Sequence, residues 1–170
     1  MDLNLKNKVA IVTGGSDGIG KAAAISLAKE GAKVAIIARN QEKIDLAVKE
    51  ISEITNGNII GISTDVSNES QVKAMVSKVA DEFGGIDILI NNAGTSAATT
   101  LDKMTDDDLK VDFGIKVYGA IYCARESLPY LKKSGNGVII NTTTPGGKAS
   151  SPGTQPTSLS RAAGISLTKS

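Results

Sequence analysis

The chain has 170 residues, 41% apolar and 22% charged, with a net charge of +1. That length supports one domain with a sizeable core, and the balanced charge leaves no basic footprint for nucleic acid. With no His and a single Cys, Cys123, His-based triads, an internal disulfide and a structural zinc site fall away.

The N-terminal stretch MDLNLKNK alternates polar and apolar residues and lacks the form of a signal peptide. No apolar run approaches the ~20 residues of a membrane span. A soluble, cytoplasmic protein is expected, with Cys123 as a small buried hydrophobe. Acid/base chemistry would have to use carboxylates, Lys, Tyr, water or a cofactor.

KVAIVT (8–13) is an apolar run ending in a glycine cluster, which predicts a buried parallel strand. A helix over 18–30 follows, with Ile19, Ala23, Leu27 and Ala28 on its core face and Gly31 at its end. KVAIIA (33–38) is the second strand, and Ile44, Ala47, Val48, Ile51 and Ile54 form the next helical stripe. NIIGIS (58–63) is the third strand. Val72, Met75, Val76, Val79, Ala80 and Phe83 mark a helix capped by Ser67 or Asn68.

IDILIN (86–91) is the fourth strand. Thr105-Asp106-Asp107-Asp108 reads as a capping box that opens a long helix. Its predicted core stripe is Leu109, Phe113, Val117, Ala120, Ile121, Ala124 and Leu128. VIIN (138–141) is the fifth strand. The stretch 142–157, rich in Gly, Pro, Ser and Thr, is a loop placed where a site loop belongs. Pro156 and Thr157 start a last helix, with Leu159, Ala162, Ala163, Ile165 and Leu167 at helical spacing. Strands alternating with helices, and apolar on both faces, predict an α/β fold: a doubly wound, Rossmann-like parallel sheet forming one domain over 1–170.

Thr13-Gly14-Gly15-Ser16-Asp17-Gly18-Ile19-Gly20 joins the first strand to the first helix. Glycines let the backbone turn tightly and approach a ligand, and the free N–H groups of the helix start favour an anion. A nucleotide phosphate site is expected here. The second strand ends Ile37-Ala38-Arg39-Asn40, with no acid to take ribose hydroxyls. Arg39 is either a solvated surface charge or a partner for a 2′-phosphate, which favours NADP over NAD. Asp17 works against a nearby phosphate.

TGGSDGIG at 13–20, Asp65-Val66 after the third strand and Asn91-Asn92-Ala93-Gly94 after the fourth resemble the short-chain dehydrogenase/reductase family along the whole chain. The resemblance implies NAD(P)-dependent hydride transfer between nicotinamide and a carbonyl or alcohol carbon. It also implies homo-oligomers packed through the fifth and sixth helices. The cofactor-binding candidates it supports are Gly14, Ser16, Asp17, Gly18, Ile19, Gly20, Arg39, Asp65, Val66, Asn91, Ala93 and Gly94. Among these, Asp65 and Val66 would hold the adenine and Asn91 would line the cofactor cleft.

The family's Asn, Ser, Tyr and Lys fall at Lys116, Thr144, Thr157 and Arg161, and TSLSR (157–161) occupies its YxxxK slot. All four candidate catalytic positions depart from the pattern. Thr144 keeps a hydroxyl that can orient a carbonyl. Arg161 keeps the charge to hold a ribose but cannot release a proton near neutral pH. Thr157 is the severe change, because an aliphatic hydroxyl is a far weaker acid than a phenol; losing a general acid costs ~10²–10⁴ in rate. Lys116 is either a snorkelling surface residue or a cation turned into the cleft. In the second case burial and Arg161 would lower its pKa and let it replace the missing acid.

Family members continue past this sequence, so the fifth strand is expected as a sheet edge beside a short sixth helix. The alternative to an oxidoreductase is a catalytically impaired nucleotide-binding protein or a truncated relic, with a regulatory or assembly role.

Overall fold

The computed structural model describes residues 3–170, so the first two residues of the N-terminal stretch lie outside it. In chain order it contains β1 (Val9–Thr13), α1 (Gly18–Lys29), β2 (Lys33–Ala38), α2 (Gln41–Thr55), β3 (Ile59–Ser63), α3 (Glu69–Phe83) and β4 (Ile88–Asn91). There follow β5 (Ala98–Thr99), α4 (Asp106–Phe113), α5 (Gly119–Ser134), β6 (Val138–Asn141), β7 (Gln155–Pro156) and α6 (Thr157–Leu167). A π-helical turn, Gly114–Tyr118, joins α4 to α5.

β1 and β2 are buried on both faces, as their unbroken apolar runs require. The five main strands pair in parallel in the order β3-β2-β1-β4-β6. Strand order reverses between β1 and β4, and doubly wound sheets open a crevice at that switch point, outside the strands' carboxyl ends. One apolar layer, with Ala24, Ala28, Ile44 and Ile51, packs α1 and α2 onto the sheet. The other packs α3 and α5 through Val72, Val76, Val79, Cys123 and Leu131.

The helix starts follow local chemistry. Asn68 caps α3 by accepting from the Gln71 N–H, and Thr105 with Asp108 closes a reciprocal capping box on α4. β6 stands at the sheet edge, with Val138 and Ile140 exposed. β5 and β7 form a two-stranded antiparallel ribbon that two-residue strands gave no periodicity to reveal.

Several expected faces turn out differently. Ile19 is 73% exposed and Ile54 is also exposed, while Gly20 and Ala24 bury instead. The buried line along α4–α5 is Asp112, Lys116, Ala120, Cys123, Ser127 and Leu131. It lies one residue away from the expected stripe, in which Leu109 and Phe113 are half-buried and Leu128 is exposed. The observed line still steps at helical spacing, but it is the small-residue side of α5. Gly119, Ala120, Cys123 and Ser127 allow close packing on the sheet that branched side chains would prevent. In α6 the buried side chains are likewise Ser158 and Ser160, with Leu159 exposed.

Among the described residues no helix is long and apolar enough to cross a membrane. Burial pushes the Cys123 thiol up to about 12. Alkylation by iodoacetamide at pH 8 is therefore expected to be slower by about two orders of magnitude or more in the native protein than in urea, since the thiolate is the nucleophile. Equal rates in the two states, followed by mass spectrometry, would contradict this packing.

Candidate functional site

The glycine loop is held from β4. The Thr13 hydroxyl accepts the N–H groups of Asn92 and Ala93 at 2.9 and 3.0 Å and donates to the Ile90 carbonyl. The Asn92 amide donates to the Thr13 carbonyl at 3.1 Å and the Gly14 carbonyl at 3.4 Å. Gly14 adopts a φ of +68°, and a Cβ on Gly20 would collide with the Gly14 carbonyl. The loop therefore packs directly on α1, a contact that any side chain at Gly20 would break. Asp17 caps α1, its carboxylate accepting the Gly18 N–H at 2.7 Å. That negative charge sits at the helix start where an anion would dock.

An open cleft of about 1130 Å³ runs past this loop. Of the cofactor candidates, Gly14, Ser16, Asp17, Gly18, Ile19, Arg39, Asp65, Val66, Ala93 and Gly94 line it. Gly20 is buried beneath its own helix turn. Asn91 faces away from the cleft. Its amide donates to Asn141 at 2.9 Å and toward the Ala120 carbonyl, tying β4 to β6 and α5. The neighbouring Asn92 takes the cleft position. Lys43 joins Arg39 and Asn40 at the β2–α2 junction, so this end carries two cations. The Asp65 carboxylate is occupied locally by the N–H and hydroxyl of Ser67.

At the other side of the strand switch, Thr144, Thr157 and Arg161 line the cleft. Lys116 does not. It is 5% exposed and, with Asn91, Ser160 and Arg161, borders a small void of about 20 Å³ that adjoins the cleft through Ala93, Thr142 and Arg161, room for one water. Its ammonium pairs with Asp112, a fully buried carboxylate one helical turn earlier, and donates to the Thr157 hydroxyl at 2.9 Å. The Ser160 hydroxyl donates to the second Asp112 oxygen. The Thr157 hydroxyl donates to the Ala97 carbonyl at 2.6 Å and lies 3.3 Å from Asp112.

Burial pushes the Lys116 pKa down, aided by Arg161, while Asp112 opposes the shift. Burial also lowers Arg161, again against Asp112. The Arg161 guanidinium donates to the Thr142 carbonyl, and its buried Nε has no partner among the described residues.

The four catalytic candidates thus fall on two sides of one cluster. Thr144 and Arg161 present polar atoms to the cleft, while Lys116 is withdrawn behind Thr157. Asp112 was not foreseen. Its i, i+4 spacing with Lys116 was the available signal, but three acids precede it and nothing distinguished a buried one. Asn92 was missed because Asn91 beside it looked equivalent.

A glycine loop packed on a helix start at the strand switch, with two cations past β2, is the arrangement of a dinucleotide-binding sheet. A sequence model described as short chain dehydrogenase matches residues 8–170. The chain belongs to the short-chain dehydrogenase family. An uncharacterized oxidoreductase of Bacillus subtilis is 36% identical over 99% of this chain and 63% of its own length. The 3alpha-hydroxysteroid dehydrogenase of Mediterraneibacter gnavus is 36% identical over 85% of this chain and 58% of its own length. The crystal structure of L-sorbose reductase from Gluconobacter frateurii, complexed with NADPH and L-sorbose, superposes with a TM-score of 0.95 at 31% identity. It is covered over 64% of its length by 99% of this chain. An NAD+-bound xylitol dehydrogenase gives 0.93 at 30% identity, with 98% of this chain and 64% of that one covered. The chain therefore spans about three fifths of these relatives.

Removing one partner of a fully buried ion pair leaves the other charge uncompensated, at a cost of about 3–5 kcal/mol, whereas an apolar replacement of both is close to neutral. Lys116→Met and Asp112→Leu are each expected to lose about that much stability in urea titrations, and the double variant to recover most of it. Additive losses would show that the pair is not coupled as the geometry requires.

Proposed function

We propose that residues 1–170 form one dinucleotide-binding domain that holds NADP in preference to NAD. In this reading the chain serves an oxidoreductase that exchanges a hydride between nicotinamide and a carbonyl or alcohol carbon. The observation that carries this reading is the Gly14–Gly20 loop, clamped by Thr13 and Asn92, with glycine at positions 14 and 20 where a Cβ would crowd neighbouring backbone. Such a loop fits a pyrophosphate and little else.

The remaining site residues fit the same group. Arg39 and Lys43 would take a 2′-phosphate, while Val66 would pack on the adenine beside Asp65. Arg161 would hold the nicotinamide ribose, and the Thr144 hydroxyl the reacting oxygen of the substrate. The bound nicotinamide would supply or accept the hydride. A proton from Lys116 would reach the cleft only through Thr157: the hydroxyl would pass its own proton to the substrate oxygen and take one from the Lys116 ammonium. The lowered pKa of Lys116 supports that role.

A second reading, dinucleotide binding without turnover, has one observation in its favour. Lys116, Asp112, Thr157 and Ser160 satisfy one another, and the Thr157 proton is directed at the Ala97 carbonyl. Self-association is part of either reading, supported by exposed Val111, Tyr118 and Leu128 on α4–α5. A cytoplasmic location is supported by the single free, buried Cys123.

Fluorescence titration of the full chain should give tighter binding of NADPH than of NADH. Arg39→Ala should weaken NADPH by about tenfold or more, the worth of a charge-assisted hydrogen bond, and leave NADH nearly unchanged. Asp17→Asn keeps a cap and removes a charge from the helix start, so both dinucleotides should tighten by about two- to fivefold. Absence of binding by either dinucleotide at millimolar concentration would sink the proposal. Where binding is found, slow NADPH oxidation with aldehydes and ketones that Lys116→Ala abolishes favours the oxidoreductase. Binding with no oxidation by the native chain, restored by Thr157→Tyr with Arg161→Lys, favours the second reading.

A further inference from the structure

The sequence contains two Asn-Gly pairs, Asn56-Gly57 after α2 and Asn136-Gly137 between α5 and β6. An Asn side-chain amide followed by Gly is chemically labile. Glycine has no Cβ to keep its nitrogen away from the Asn side chain, so that nitrogen can reach the Cγ carbonyl carbon. Whether it does so in a folded chain depends on what else holds it. The two pairs differ in that respect.

Asn56 is locked. It is the left-handed C-cap of α2, with φ 51° and ψ 25°, and its N–H donates to the Ser52 carbonyl at 2.8 Å. The Gly57 N–H donates to the Thr55 hydroxyl at 3.0 Å, and that hydroxyl donates to the Ile51 carbonyl at 2.7 Å. The nitrogen that would attack is therefore tied back onto the last turn of α2. Gly57 is also half-buried, and a Cβ on it would lie 3.2 Å from that of Ala28 in α1.

Asn136 has none of these restraints. Gly135, in the left-handed conformation, ends α5 and donates its N–H to the Lys132 carbonyl at 3.2 Å. The next two residues are exposed. Neither the main chain nor the side chain of Asn136 makes a hydrogen bond to the described residues, and the Gly137 N–H makes none. The chain is tied again only at Val138, whose N–H donates to the Asp87 carbonyl at 2.9 Å. A Cβ on Gly137 would lie 2.5 Å from the Leu131 carbonyl oxygen. Packing on α5 thus demands at 137 the one residue that leaves its neighbour labile.

We propose that Asn136 is a site of spontaneous modification, converting in the folded protein to aspartate and isoaspartate through a cyclic imide. The Gly137 nitrogen gives its proton to water and bonds to Cγ of Asn136. The Cγ–Nδ2 bond breaks and ammonia leaves. Water then adds to one of the two imide carbonyls. Opening at Cγ yields aspartate. Opening at the main-chain carbonyl yields isoaspartate, in which the chain runs through Cβ and Cγ and is one atom longer. The step needs water alone.

The extra atom falls just before β6, the strand at the sheet edge. It loosens the Val138–Asp87 hydrogen bond where the pairing of β6 with β4 begins. The cleft lies at the opposite, carboxyl ends of the strands, and this inference does not rest on the function proposed for it.

The full chain is incubated at pH 8, native and in urea, in water labelled with heavy oxygen. Both peptides are followed by mass spectrometry, with isoaspartate distinguished by electron-transfer fragmentation. In the native chain Asn136 should convert about two- to tenfold faster than Asn56, the worth of the hydrogen bond that holds Gly57. In urea the two rates should converge. Thr55→Ala releases the Gly57 N–H and should bring Asn56 toward the rate of Asn136. In the converted protein the Val138 amide should exchange its hydrogen faster while the β1 amides keep their protection. The proposal falls if Asn136 stays intact in the native chain while converting in urea, or if Asn56 converts as fast as Asn136 in the native chain. It falls too if Thr55→Ala leaves the Asn56 rate unmoved.

Discussion

The site is organised around the carboxylate of Asp112, which has no exposed surface. A buried anion must be compensated, and here the compensation comes from two elements: the Lys116 ammonium and the Ser160 hydroxyl, with the Thr157 hydroxyl 3.3 Å away and bonded to Lys116. Lys116 belongs to the π-helical turn and Thr157 and Ser160 to the first turn of α6. One carboxylate thereby fixes the end of α4, the turn after it and the start of α6 relative to each other. Arg161, one residue beyond Ser160, is held in addition by its own bond to the Thr142 carbonyl.

The opposite half of the cleft rests on an uncharged device. Thr13 and Asn92 bond the end of β1 to the turn after β4 through side chains that serve the backbone, which places the glycine loop at the strand switch. The two halves differ in kind. The β1–β4 side is built from main-chain groups tied by Thr13 and Asn92, and the proposed reading gives it a phosphate. The α4–α6 side is an ionic cluster whose members are saturated by one another. A cradle of the first kind binds. A cluster of the second kind determines whether a proton can leave, and that is where the oxidoreductase and binding-only readings part.

The fold was legible because it depends on local, periodic information. Unbroken apolar runs such as KVAIIA can only be buried on both faces, and caps such as Asn68 and Thr105 act within three residues of themselves. The glycine loop was legible for the same reason, since its spacing and flanking elements are contiguous. Legibility failed where burial went to the less apolar face. Along α4–α5 the bulkier Leu109, Phe113 and Leu128 suggested the core stripe. Close packing on the sheet instead selected the side with Gly119, Ala120, Cys123 and Ser127, and turned Asp112 and Lys116 inward with it. No periodicity measure that rewards hydrophobicity could have chosen that face.

The sequence by itself determined the strand–helix alternation, the phosphate-type loop at 14–20, the cation at Arg39 and the departures from the family pattern at 116, 144, 157 and 161. These are matters of residue type and spacing along one stretch of chain. Only the tertiary structure decided that Asn92 rather than Asn91 meets the cleft, that Lys116 stands behind Thr157, and that Asp112 binds Lys116 and Ser160. Those relations join residues far apart in the chain, Ala97 with Thr157 and Thr13 with Asn92. They are fixed by which helix face packs on the sheet, which is a property of the packed whole.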